Sequence, residues 1–96
     1  MQCRELIAYR IKAGEENRFD ILHRQILEQI KDLFPGLISC KTFQDIKSPT
    51  LLFDELIWNS REDALNAYQG FKTLKNAAEF MTTVDEVIFK GHFEEL

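Results

Sequence analysis

One segment of this 96-residue chain constrains its fold more than any other: Leu51–Trp58, which reads LLFDELIW, is apolar on both sides. Successive side chains of a strand point to opposite faces of the sheet. One face of this segment carries Leu51, Phe53 and Ile57, and the other carries Leu52, Leu56 and Trp58. A sheet that contains this strand must therefore cover both of its faces, whereas one layer of helices covers only one.

Periodicity along the chain predicts four strands and two helical regions. Apolar spacings of three and four predict an amphipathic helix from about Glu16, with Asn17 and Asp20 as a capping arrangement, to a stop at Pro35-Gly36. Ser60 and Asp63 open a second helical region that breaks at Gly70 and resumes to Thr82. The predicted strands are Glu5–Ile11, Leu37–Asp45, Leu51–Trp58 and Val84–Glu94.

The resulting order, βαββ(α)αβ, is that of an α+β ferredoxin-like sandwich, with a four-stranded antiparallel sheet and helices on one face. Residues 1–96 are expected to form a single domain, since a second has no room. The simplest cover for the other apolar face is a second copy of the same sheet. We therefore predict a homodimer that closes into an α/β barrel, and we expect a hydrophobic ligand to lie in a cavity inside that barrel.

Charge and motif content exclude several functional classes. Twelve Lys plus Arg against sixteen Asp plus Glu give a net charge of −4, which argues against binding of nucleic acid or of an anionic membrane. No apolar run reaches the roughly 20 residues of a membrane span, so we predict a cytoplasmic protein. No Gly-rich phosphate loop or Ser-His-Asp set is present, and the histidine and cysteine positions predict no metal site.

Three stretches resemble a known family when their order and spacing are taken together: Gly14–Phe19, Phe34–Ser39 and Ile57–Ala64. They are similar to the antibiotic biosynthesis monooxygenase family of dimeric α/β barrels, and the likeness covers most of the chain. Some members of that family oxidise quinols or aromatic polyketides without metal or flavin, so the resemblance implies no cofactor and an aromatic or hydrophobic small molecule as ligand.

The resemblance carries over to only some positions. Members of the oxidising branch can place an Asn and a Trp four residues apart on the third strand, and the matching positions here are Asp54 and Trp58. The Tyr that follows in the adjacent helix falls at Ala64, and the helical Arg has no counterpart. A related haem-degrading branch carries Asn, Trp and His where this chain has Ile7, Ala67 and Ala77, so haem degradation is not expected.

The candidate site residues each have a second interpretation. Asp54 is either a general base in apolar surroundings or a solvated carboxylate, and Trp58 is either a cavity wall or a core or interface residue. His92 is a candidate for proton transfer or a solvated histidine. Tyr9 lines the cavity or packs under the helices, and His23 is expected to be a surface or boundary residue rather than a catalyst.

Two functional hypotheses follow. The first is a cofactor-independent oxygenase acting on a quinol or aromatic substrate, with Asp54 and His92 as candidate catalytic residues and Tyr9 and Trp58 in the ligand pocket. The alternative is a non-catalytic small-molecule binding or stress-associated module with the same cavity. Loss of most of the oxidising branch's residues favours the alternative, whereas Trp58 with its acidic neighbour supports the first.

Overall fold

The computed structural model describes all 96 residues and contains one four-stranded antiparallel sheet with helices packed on one face. In chain order the elements are β1 Cys3–Ile11, α1 Glu16–Leu33, β2 Leu37–Gln44, β3 Leu51–Trp58, α2 Arg61–Gly70, a 3-10 turn Phe71–Thr73, α3 Ala77–Met81 and β4 Val84–Phe93. The strands lie in the order β2-β3-β1-β4. The predicted ferredoxin-like α+β fold is confirmed.

Alternation along β3 decides which side chains the helices cover. The face that carries Leu52, Leu56 and Trp58 is buried, and its opposite face is only half-buried. Helix α1 supplies the facing apolar surface through Phe19, Leu22, His23, Ile26 and Ile30, which recur every three or four residues. Burial of this stripe against the sheet forms the core of the protein.

The two predicted helix starts have different outcomes. Ser60 caps α2, because its Oγ accepts a hydrogen bond from the backbone N–H of Asp63 at 3.1 Å, as predicted. The predicted start of α1 at about Glu16 is confirmed, but the predicted cap at Asn17 is wrong: the N-cap residue is Glu15, and no side chain caps the helix. Glu15 instead accepts a hydrogen bond from Arg18.

The face of the sheet away from the helices is apolar and uncovered in one chain. The strand register places Phe43, Phe53, Ala8 and Phe89 in one row across all four strands. Phe43 and Phe89 are 49% and 44% exposed. Phe93 stacks on Phe89 with ring centroids 5.9 Å apart, and its ring covers Gly91, where an added Cβ would lie only 2.6 Å from Phe93. We call this surface, made by the outward side chains of β1–β4, the open sheet face.

None of the helices combines the length and the apolar character needed to cross a membrane.

Candidate functional site

A cavity of about 450 Å³ lies between the sheet and the helices of a single chain. Its size falls in the range of small-molecule pockets. Most of its wall is apolar and comes from β1, β3, β4, α1 and the segment from α2 to α3. The apolar lining includes Ile7, Ile26, Leu27, Ile30, Leu56, Trp58, Ala67, Phe71, Phe80, Met81, Val84 and Val87. The other lining side chains are polar or charged and can orient a ligand within the apolar wall: Glu5, His23, Asp54, Gln69, Lys72 and Lys90.

Asp54 is the centre of the first polar cluster. It is 5% exposed, and its carboxylate accepts hydrogen bonds from the Tyr9 hydroxyl at 2.8 Å and from the Thr42 hydroxyl at 2.6 Å. The Nε2 atom of His23 lies 3.0 Å and 3.1 Å from its two oxygens. The register explains the cluster, because Asp54 pairs with Thr42 on β2 and with Ile7 on β1, two residues from Tyr9. Three donors therefore satisfy one buried carboxylate.

His23 is fixed in this cluster by packing as well as by its bond to Asp54. Its ring stacks on Phe19, with centroids 4.9 Å apart and an interplanar angle of 20°, and lies 6.0 Å from the Phe80 ring. With the Nε2 proton donated to Asp54, Nδ1 of the neutral ring carries a free lone pair. No protein group donates to or accepts from that nitrogen. The contact with Asp54 thus fixes the orientation of the imidazole and leaves Nδ1 without a partner in the protein.

Tyr9 is held as a neutral phenol in the same cluster. Burial, the Asp54 charge and the hydrogen bond to Asp54 raise the pKa of the Tyr9 phenol well above its usual value. The Tyr9 hydroxyl donates its hydrogen bond to Asp54, so the phenol oxygen can still accept a hydrogen bond from a ligand hydroxyl in the cavity.

Glu5 is the centre of a second polar cluster in the same cavity. It is 7% exposed, and its Oε1 accepts a hydrogen bond from the indole N–H of Trp58 at 3.0 Å. Trp58 is 1% exposed and meets Phe34 edge-on, with centroids 6.4 Å apart. The indole is therefore fixed in the cavity wall by one hydrogen bond and by aromatic packing.

Burial makes the stability of the protein depend on the protonation of Glu5. Desolvation raises the pKa of the Glu5 carboxyl, and this outweighs the lowering effects of Trp58, His92 and Lys90. Since the folded-state pKa is raised, the stability that Glu5 contributes is fully present below the pKa of the unfolded chain. That stability is lost as the pH rises through the folded-state value.

A Glu5→Gln variant should therefore melt at a higher temperature than wild type at pH 8, and the difference should shrink as the pH falls toward about 4.3. The glutamine oxygen still accepts from Trp58 and carries no charge to desolvate. Thermal melts followed by circular dichroism across this pH range measure the difference. A Glu28→Gln variant on the exposed side of α1 is the control, and a Glu5→Gln difference independent of pH would contradict the prediction.

The structure brings three of the four predicted site residues to one cavity. Tyr9, Asp54 and Trp58 lie around one cavity. His92 pairs with Glu5 across β1 and β4, and its Nε2 lies 3.6 Å from Glu5 Oε2, outside the cavity wall. Glu5 itself received no role in the sequence analysis, although it shares the face of Ile7 and Tyr9.

Two expectations about the site are wrong. His23 is not a surface residue: it is 8% exposed, because the spacing from Phe19 to Ile26 places it on the buried stripe of α1. The cavity also does not require two copies of the chain, since the helices of one chain already enclose the face that carries Trp58.

The side chains of this chain form no cluster of metal ligands. No group of three or more His, Cys, Asp or Glu side chains is placed to hold a metal ion. Cys3 and Cys40 are both free.

Solved structures share this fold at low sequence identity. The chain superposes on a candidate antibiotic biosynthesis monooxygenase from Caulobacter crescentus CB15 with a TM-score of 0.83 and 14% identity, covering 99% of this chain and 90% of that one. A second candidate antibiotic biosynthesis monooxygenase, from Chloroflexus aurantiacus J-10-fl, gives 0.78 and 15%, with coverage of 100% and 94%. SnoaB, a cofactor-independent oxygenase from Streptomyces nogalater, gives 0.80 and 11%, with coverage of 99% and 93%.

These likenesses establish an antibiotic-biosynthesis-monooxygenase-like fold over the whole chain. No family model matches the sequence, and no curated protein sequence matches it either.

Proposed function

We propose that this protein is a cofactor-independent oxygenase that binds a quinol or related aromatic phenol in the cavity between sheet and helices. The observation that carries the proposal is the contact between His23 and Asp54 inside an apolar cavity. A buried carboxylate that orients an imidazole, whose other nitrogen is free, is an arrangement suited to general-base catalysis. The solved structures of the same fold include a cofactor-independent oxygenase, which is consistent with this chemistry.

The proposed reaction begins with proton transfer. Nδ1 of His23 removes a phenolic proton from the substrate, and Asp54 stabilises the imidazolium that results. The phenolate is the electron-rich form that can transfer electrons to O₂. One oxygen atom then enters a ring carbon and the other leaves as water, so that a quinol and O₂ give a hydroxyquinone and H₂O. The substrate itself supplies all four electrons.

The apolar wall supports the same proposal. A dry cavity strengthens the interaction between Asp54 and the charged ring and limits side reactions of the oxidised substrate with water. Trp58 offers a flat indole surface for an aromatic ring, and the Tyr9 oxygen can accept a hydrogen bond from a second substrate hydroxyl.

We further propose that a second copy of the chain covers the open sheet face. Its row of Phe43, Phe53 and Phe89 forms a continuous apolar patch of a kind that soluble monomers rarely expose. A two-fold pairing of these faces would bring each row against its copy and form the barrel expected from the sequence.

Oxygen uptake with a panel of quinols and aromatic phenols tests the catalytic proposal. We expect uptake above the rate of spontaneous oxidation for at least one member, with one O₂ consumed per hydroxyquinone formed. A protein that binds members of the panel and never accelerates their oxidation is the non-catalytic binding module instead.

A further inference from the structure

Glu5 has a carboxyl oxygen that the proposed reaction does not use. Its Oε1 accepts from Trp58, whereas its Oε2 makes no hydrogen bond within the protein. The residue lies on the cavity side of β1 and lines the cavity. A polar group in such an apolar wall is a natural point of contact for a ligand.

The groups that face Glu5 leave this oxygen without a close partner. From β4, His92 Nε2 lies 3.6 Å away, longer than a hydrogen bond, and that nitrogen is itself buried without a partner. Lys90, also on β4, has its ammonium 4.1 Å from the centre of the Tyr68 ring on α2 rather than in an ion pair. From β3, Asp54 already accepts three donors of its own.

The environment favours a donor at this position over an acceptor. Burial raises the pKa of Glu5, so its neutral form, which carries an O–H, persists to higher pH than in water. An O–H on this oxygen has no hydrogen-bond acceptor within the protein, and a ligand oxygen would satisfy it. The Lys90 ammonium makes the same place unfavourable for a cationic ligand.

We infer that Glu5 is the recognition group for a carbonyl-bearing aromatic ligand: its carboxyl O–H donates a hydrogen bond to a ketone or quinone oxygen beside Trp58. The inference rests on the proposed function for the ligand site itself and adds that the aromatic phenol bound there also carries a ketone or quinone oxygen. A ketone oxygen is the required acceptor, whereas a hydrocarbon of the same shape fills the cavity and leaves the Glu5 hydroxyl unpaired. Glu5 thus distinguishes aromatic ketones and quinones from hydrocarbons of the same shape.

Binding of 1-tetralone and of tetralin, its hydrocarbon counterpart, tests the inference. Trp58 is the only tryptophan and lines the cavity, so quenching of its fluorescence reports binding of either probe. At about pH 4, below the ordinary pKa of a glutamate carboxyl, wild-type protein should bind 1-tetralone about fivefold more tightly than tetralin, the effect of one hydrogen bond. The ratio of the two affinities should fall toward one as the pH rises and Glu5 loses its proton.

Two variants separate this role from a structural one. Glu5→Gln keeps a donor, its amide N–H, and should retain the preference for 1-tetralone at every pH. Glu5→Leu has no donor and should bind both probes equally while still binding tetralin.

Each other outcome overturns the inference. Equal binding of the two probes by wild-type protein, a preference that survives in Glu5→Leu, or a preference that grows with pH would each contradict it while the cavity still binds aromatic compounds. Failure of wild-type protein to bind either probe would overturn the ligand-binding proposal as well, so the two failures are distinguishable.

Discussion

If the proposed function holds, a His23→Gln variant should oxidise the proposed quinol substrate about 10²- to 10⁴-fold more slowly than wild type, the usual contribution of a general base. Glutamine is polar and can still reach Asp54, so the buried carboxylate keeps a donor, but the amide cannot accept a proton near neutral pH. The rate of oxygen uptake, corrected for spontaneous oxidation, measures the loss.

An Asp54→Asn variant should show a loss of similar size for a different reason. The asparagine amide donates to His23 Nε2, which moves the ring proton to Nδ1 and removes the free lone pair. Because the two residues act as one unit, the double variant should be no slower than the slower single variant.

An Arg24→Gln variant is the matched control, because Arg24 follows His23 on α1 and pairs only with Asp20 at the surface. Its rate should equal that of wild type. Retention of more than about a tenth of the wild-type rate by His23→Gln, with its fold intact by circular dichroism, would remove His23 from the mechanism.

Phe53→Glu should weaken the proposed dimer about 100- to 1,000-fold. Phe53 lies at the middle of the row on the open sheet face, beside Phe43 at a centroid distance of 6.3 Å. In a two-fold interface the substitution occurs twice, so two carboxylates would lose water against apolar surroundings and against each other.

Sedimentation equilibrium at micromolar protein measures this effect. The control is Ile21→Glu, which places the same charge at an apolar side chain that is 57% exposed on α1, away from the open sheet face. Wild type and the control should sediment as dimers and Phe53→Glu as a monomer. A wild-type monomer, or a Phe53→Glu dimer as tight as wild type, would exclude this face as the interface.

Much of the fold could be predicted from local patterns. Alternation along Leu51–Trp58 identified β3 and its two apolar faces, and Pro35-Gly36 and Ser60 marked a helix end and a helix start. The N-cap of α1 could not be predicted in the same way, since the chain turns through Gly14 at φ 85° and the helix follows Glu15, which makes no side-chain capping bond, rather than Asn17.

The candidate site was less accessible to sequence reasoning because it depends on contacts between distant segments. His23 and Asp54 are 31 residues apart, and only the packing of α1 on the sheet brings them together. Signals for two missed residues were nevertheless present: His23 lies on the stripe of Phe19 and Ile26, and Glu5 shares the parity of Tyr9 on β1. Which face the helices cover, and hence where the cavity lies, required the structure.

Enclosure of the cavity within one chain has a consequence for the assembled protein. If two copies join through their open sheet faces, the two cavities lie on the outer flanks, back to back, with both sheets between them. Each cavity is then walled by the helices of its own chain, so a ligand bound in one cavity makes no contact with the other cavity. In such a dimer, substitutions on the open sheet face would alter assembly, and substitutions in the cavity would alter ligand binding, each without changing the other.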